Sequence, residues 1–413
     1  MTTTILTGIG RLVTHDPAQA DHATAASDAT TRSTSATMPG MGAGLDNAWL
    51  VVDGSHVAAT GDGIPPAADT RIDLGGRAVI PGFVDSHTHL VFAGDRSAEF
   101  AARMAGADYE AGGITTTMAA TATAWDADLR RLLQGRVAAS RAAGITTREI
   151  KSGYAGTVDG EARLLRLAGE VTDHTTYLGA HVVPPGHVGD TDDYVDVVTG
   201  PMLAACAPLA TSIDVFCEVG AFDRDQSLAV LRAGRAAGLV PRVHANQLGP
   251  GPGVAVAVEV EAASADHCTH LTDDDVAALA GSDTVATLLP ATDFSTRQPY
   301  PDARRLVDAG ATVALATNAN PGSSHTTSMG FVLALAVRDC HLTVDEAIWA
   351  ATMGGARSLR RDDIGHLRPG AIADLAVLDA PGPSHFVYRP GMPVVMATIE
   401  AGQLVAGSWP APA

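Results

Sequence analysis

Lysine is almost missing from this chain: of its 413 residues only Lys151 is one, and every other basic side chain is arginine. Positive charge is scarce altogether, with Lys+Arg 27 against Asp+Glu 46 and a formal net charge of −19. Such a surface repels phosphate backbones and anionic headgroups, which excludes nucleic acid and membrane surfaces as partners. Aromatic residues make up 4%, so the core must be built from Ala, Val, Leu and Ile. The four cysteines, Cys206, Cys217, Cys268 and Cys340, include no CxxC pair. They do not form a disulfide scaffold and fit a reducing, cytoplasmic compartment. No run of 18 apolar residues occurs, and the N-terminal MTTTILTGIGRLVTHDP lacks a basic stretch followed by an apolar one. Neither a membrane span nor an export signal is expected. Hydrophobicity itself is plentiful, at 46% apolar residues and a mean hydropathy of +0.13, which excludes a disordered acidic chain.

The order of the apolar runs predicts two kinds of structure. Short strand-like pieces stand at the N-terminal end, Thr3 to Val13 and Ala48 to Ala59, the latter ending in a turn around Gly61-Asp62-Gly63. Residues 16–44 between them are small, polar and aperiodic and read as an inserted surface loop. Strand-like texture returns in ADLAVLDA (373–380), PVVMATIEAG (393–402) and QLVAG. Between these ends, eight β-branched or apolar runs each precede an Ala/Leu/Arg-rich helical stretch: 78–89, 145–152, 175–181, 212–218, 241–247, 263–267, 284–290 and 312–318. Eight such repeats predict an α/β chain, a (β/α)8 TIM barrel with a small β-sandwich domain built from both chain termini. The boundaries follow as 1–77, 78–365 and 366–413. A doubly wound open sheet would need a Gly-rich phosphate turn after its first strand, and there is none.

Chemistry-bearing residues collect at the C-terminal ends of the runs: His87 and His89, Lys151, His181, Glu218, His244 and Gln247, His267, and Asn318. One histidine at a strand end is commonly just a hydrogen-bonded residue. Five converging on one rim point to a ligated, wet site. His87-Thr88-His89 places two imidazoles on the same strand face, because side chains repeat every two residues. With His244 from another strand, three nitrogen donors suit one Zn or Fe ion with a position left for water.

VIPGFVDSHTHL resembles the first-strand signature of the amidohydrolase superfamily, and IGHLRPGAIADLAVLD its return into the terminal β domain. Within it, HTHLVFAGDRSAEF (87–100), GITTREIKSGY (144–154), YLGAH (177–181), DVFCEVGAF (214–222), HANQL (244–248), SADH (264–267), LLPAT (288–292) and NPGSS (320–324) resemble the imidazolonepropionase family. The resemblance implies a homodimeric enzyme that uses one divalent or trivalent metal, Zn or Fe. It would hydrolyse the cyclic amide of 4-imidazolone-5-propanoate to N-formimino-L-glutamate in histidine degradation. Carried over by position, it implies metal ligation by His87, His89, His244 and Asn318, and catalytic roles for His267, His181 and Asn318. Substrate contacts fall to Arg96, Tyr154, His181, Gln247, Asn320, Gly322 and Ser323. A propionate tail calls for a guanidinium, whose fork binds a carboxylate bidentately, although Arg96 also has Asp95 and Glu99 as near-sequence ion-pair partners. Lys151 is expected to act structurally or electrostatically at the barrel mouth.

Position 318 departs from the pattern. The family's eighth strand ends in an aspartate that ligates the metal and serves as general base, whereas this chain reads VALATNANPGSS. An amide offers its carbonyl oxygen to a metal but takes no proton from water near neutral pH. Three readings stay open: another base such as His267 takes over, the position was altered, or the chain is a catalytically impaired paralogue. An aromatic-ring or formimino-glutamate deaminase using the same metal set is the alternative activity.

Overall fold

A computed structural model describes residues 2–22, 38–106 and 113–410. Its centre is an eight-stranded parallel sheet, and its flank a mixed sheet made from both ends of the chain. The flanking sheet comprises β1 (Thr3–Val13), β2 (Gly44–Asp53), β3 (His56–Asp62), β4 (Thr70–Asp73), β5 (Val79–Pro81), β14 (Leu375–Leu378), β15 (Val395–Glu400) and β16 (Gln403–Gly407), in the order β16-β15-β14-β5-β1-β2-β3 with β4 on β1. Its two ends come together: Ala373 N donates to Ser55 O at 2.8 Å, and Gly402 sits so close to Gly54 that a Cβ would lie 2.2 Å from the Gly54 oxygen. Leu6, Leu50, Val79, Leu375 and Ile399 thereby share one core.

Three details differ from the sequence reading. The run Ala48 to Ala59 is two strands, with the hairpin turn at Gly54-Ser55 and not around Gly61-Asp62-Gly63, because Gly54 supplies the positive φ (59°) that a tight hairpin needs. Of the expected 16–44 loop, Pro17–His22 forms a short 3-10 helix and Gly44 already belongs to β2, while 23–37 lie outside the described residues. Near the end of that stretch Met38 is buried, and Pro39 O accepts from Trp349 Nε1 at 3.3 Å. The run 78–89 is divided. Val79–Pro81 pairs with β1 and β14 in the flanking sheet, and only Phe83–Asp85 opens the barrel.

The barrel strands are β6 (Phe83–Asp85), β7 (Ile145–Lys151), β8 (His174–Ala180), β9 (Ser212–Cys217), β10 (Val240–Ala245), β11 (Ser264–His267), β12 (Val285–Leu288) and β13 (Val313–Leu315), paired in sequence order. A parallel bridge between Thr88 and Ala319 closes the ring. Just below it, the Asp85 carboxylate accepts from Thr317 N at 2.9 Å and Thr317 Oγ1 at 2.6 Å. Alternation sorts the residues: Ile213, Val215, Val243, Ala265 and Leu315 join the apolar layer under the helices. The intervening positions Glu149, Lys151, Asp214, Arg242, His244 and Asp266 are buried and charged or polar. No helix among the described residues is long and apolar enough to cross a membrane.

A carboxylate ties the two sheets. Glu400 on β15 pairs with Arg141 at 2.6 Å and with the buried Arg148 of β7 at 2.5 Å. Replacing Glu400 by Ala strands the Arg148 charge against the barrel; it should cost roughly 3 kcal/mol in denaturant unfolding, whereas Arg141→Ala, at a more exposed partner, should cost less than half of that.

Candidate metal centre and substrate cleft

The histidines expected from the sequence converge on the C-terminal mouth of the barrel. The rings of His87 and His244 are 4.6 Å apart between centroids, with His89 5.3 Å from His87 and 5.6 Å from His244. His267 lies 5.4 Å from His244 and 5.6 Å from His87. Nitrogens of His87, His244 and His267 fall within 4.8 Å of one another, and so do ligand atoms of His87, Asp214 and Asp266.

Which atom each ring offers is set from behind. Asp266 Oδ2 accepts from His87 Nδ1 at 2.7 Å, and Asp214 Oδ1 from His244 Nδ1 at 3.0 Å. A carboxylate only accepts, so both Nδ1 atoms carry a proton, and Nε2 is the atom each ring has left to offer an ion. Burial, with neighbouring cationic and imidazole groups, holds His87, His89 and His267 well below the ordinary histidine range, and they are neutral at pH 7. Neutral imidazole is the form that ligates metal.

The fit to an ion shows in the buried polar atoms. His87 Nε2, His89 Nδ1, His267 Nδ1 and Asn318 Oδ1 are all enclosed, and none has a hydrogen-bond partner among the described residues. Leaving such atoms unsatisfied is costly, and a cation held by His87, His89 and Asn318 removes that cost for three of the four, leaving His267 Nδ1 beside it. Asn318 has φ 50°, a left-handed conformation that Asn and Asp adopt most readily among residues with a side chain. Its Nδ2 donates to Thr292 Oγ1 at 2.8 Å, which fixes the amide plane. The residues present fit a divalent metal ion.

Beside the histidines opens a cleft bordered by His89, Arg96, Tyr154, His181, Gln247, Asn318, Asn320 and Ser323 among others. His87 lies buried behind it. Arg96 makes the near-sequence ion pair as well as facing the cleft. Its Nε and Nη2 donate to the two Glu99 oxygens at 2.8 and 2.7 Å, and this pairs one edge of the guanidinium and fixes its plane. Gly322 does not line this cleft but is packed on Arg96, where a Cβ would lie 2.2 Å from Nη1. Asn320 borders the cleft, yet its amide is committed to its own loop: Oδ1 accepts from Gly322 N and Ser323 N, both at 2.8 Å.

His181 Nδ1 faces the Gly153 carbonyl at 3.0 Å, and burial with the nearby His244 lowers its pKa to about 3. A carbonyl cannot donate, so the neutral ring donates from Nδ1 and offers Nε2 to the cleft as an acceptor. The Tyr154 loop is held by Glu161, which accepts from Gly153 N at 2.6 Å and from Ala155 N and Gly156 N at 2.8 Å. Glu218 does the same for Gln247 and Leu248, accepting from both backbone N–H groups.

Asp214, Asp266 and Glu161 were not singled out from sequence. A signal was there: a carboxylate inside an apolar strand, as in SIDVFC or ASADH, is expensive unless it holds something. Glu161→Ala removes three backbone partners of one loop. It should make the 152–156 segment the first cleaved in limited proteolysis while the global melting temperature falls by only a few degrees.

Comparison with known proteins gives the relatives. Residues 78–405 match the amidohydrolase family. The imidazolonepropionase of Mycolicibacterium smegmatis is 58% identical over 405 residues, covering 98% of each chain. That of Streptomyces griseus subsp. griseus is 58% identical over 406 residues, covering 98% of this chain and all of its own. Among solved structures, 5-methylcytosine deaminase from Klebsiella pneumoniae, liganded with phosphonocytosine, superposes with a TM-score of 0.72 at 17% identity, over 89% of this chain and 96% of its own. Atrazine chlorohydrolase from Arthrobacter aurescens TC1, complexed with zinc, gives 0.68 at 16% identity over 98% and 95%. At such identities these two speak for the fold.

Proposed function

Since the chain belongs to the imidazolonepropionase family of amidohydrolases, we propose that it opens the ring of 4-imidazolone-5-propanoate with water to give N-formimino-L-glutamate, the hydrolytic step of histidine degradation. The observation that carries this beyond family membership is the pairing of a buried histidine cluster able to hold a metal with a guanidinium bordering the same cleft. A deaminase is not favoured, since fold likeness alone speaks for it.

His87, His89 and His244, with Asn318 Oδ1, would hold one ion, Zn or Fe; when bound it supplies Lewis acidity and lowers the pKa of water at the site. Arg96, oriented by Glu99, receives the propionate, with Tyr154 beside it. His181 accepts the ring N–H, because its cleft-facing nitrogen is an acceptor. Gln247 and Ser323 complete the wall, and Asn320 and Gly322 shape the loop against Arg96. Water adds to the ring carbonyl carbon, the C–N bond breaks, and the departing nitrogen takes up a proton. His267, neutral and with Nδ1 enclosed in the site, serves as the base that takes water's proton, the part Asn318 cannot play.

In this reading the barrel, from Phe83 to about residue 365, is the catalytic unit, and the flanking sheet, which takes Val79–Pro81 from the expected 78–365 span, is its support. The free, buried cysteines support a reducing cytoplasm, and the homodimer rests on the family resemblance alone.

Two experiments test the assignment. Loss of imidazolone ultraviolet absorbance should be matched by N-formimino-glutamate formed, and Arg96→Ala and Gly322→Ala should each raise KM roughly 10–100-fold with kcat changed far less; unchanged KM in both removes Arg96 from the substrate site. For the proton, His267→Ala should lower kcat by about 10²–10⁴, while Asn318→Asp, whose carboxylate accepts from the Thr292 hydroxyl where the amide donated to it, should change it less than about tenfold. Turnover confined to the Asn318→Asp protein would instead make this chain an impaired form.

A further inference from the structure

Lys151 is the chain's one lysine, and its ammonium is completely buried inside the barrel. It lies 2.9 Å from Glu149 Oε1, 2.8 Å from Asp214 Oδ2 and 3.8 Å from Asp266 Oδ2. Each of these carboxylates holds part of the histidine set. Asp214 orients His244, Asp266 orients His87, and Glu149 Oε2 accepts from the backbone N–H of Thr88, between His87 and His89, at 3.1 Å. Among the described residues one other buried cation is ion-paired with the group: Arg242, 3.5 Å from Asp266 and anchored on the Ser86 and Ser358 carbonyls.

The charges sum simply. Three carboxylates and two cations give −3 + 2 = −1 without a metal and −1 + 2 = +1 with a divalent ion on neutral imidazoles. Without Lys151 the same sums are −2 and 0. Buried charge left uncompensated is strongly destabilising, so loss of the lysine weighs far more on the metal-free protein than on the loaded one. A carbamylated Lys151 would place a further negative charge among three carboxylates, against the same balance.

We propose that Lys151 is a resident counter-cation, a positioning residue that keeps the ligand-orienting carboxylates compensated so that the metal site folds before it is loaded. This rests on the metal reading above. The test compares melting temperatures of wild type and Lys151→Met, each as zinc-loaded protein and after chelator stripping, with zinc content measured. Wild type should melt cooperatively in both states. Lys151→Met should lose roughly 10 °C more when stripped than when loaded. Equal losses in the two states would overturn the proposal and leave Lys151 an ordinary core residue. If Lys151→Met gives no folded protein in either state, Lys151→Met/Glu149→Gln decides, since it removes one charge of each sign. Recovery of a cooperative metal-free transition supports the proposal, and no recovery overturns it. Absence of zinc from loaded wild type would overturn the metal reading itself, a result distinct from equal losses in a zinc-binding protein.

Discussion

A buried imidazole offers a lone pair from Nε2 only while something keeps the proton on Nδ1, and in this barrel Asp266 and Asp214 do so for His87 and His244. The rest of the interior follows from that constraint. Strands β9 and β11 flank β10, so Asp214 reaches His244 from the neighbouring stave, while Asp266, opposite His244 in register, reaches across the barrel to His87 after β6. Two buried carboxylates then require compensation, which Lys151 and Arg242 give. A barrel filled with apolar side chains would be more comfortable; this one exchanges part of its packing for a charged layer that has a use only beneath a ligand set.

The same economy governs the rim. The cleft's functional side chains sit on loops, and a buried acceptor fixes each loop from within: Glu161 below Tyr154, Glu218 below Gln247, Asn320 within the 320–324 turn. Arg96 is held by Glu99 on one side and packed by Gly322 on another, so its position is decided before any carboxylate arrives. Preorganisation of this kind removes the cost of ordering long side chains on binding. Asp85 extends the scheme to the backbone, since its two bonds from Thr317 bring the last strand against the first, where His87, His89 and Asn318 all lie.

Much of this was legible in the sequence. The eight repeats and the strand-end histidines placed the barrel and its active rim, because period-two alternation and polar residues at buried strand ends leave few other arrangements. The first run hid a change of sheet: Val79–Pro81 and Phe83–Asp85 are both apolar, and nothing local marks Gly82 as the point where the chain leaves one sheet for the other. The hairpin at Gly54 was missed because the Gly61-Asp62-Gly63 cluster is the louder turn signal. The orienting carboxylates were missed for a different reason. Their partners lie 30 residues away for Asp214 and 179 for Asp266, separations that only the closed barrel brings together. The direction of His181 was out of reach for the same reason, since it depends on the Gly153 carbonyl of another strand's loop.

Anomalous diffraction from a metal-loaded crystal tests the central claim most directly. The account predicts a single peak bound by Nε2 of His87, Nε2 of His244, His89 and Asn318 Oδ1, with Asp214 and Asp266 still on the Nδ1 atoms behind. A peak seated between His87, Asp214 and Asp266, or one that takes His267 in place of His89, would contradict it.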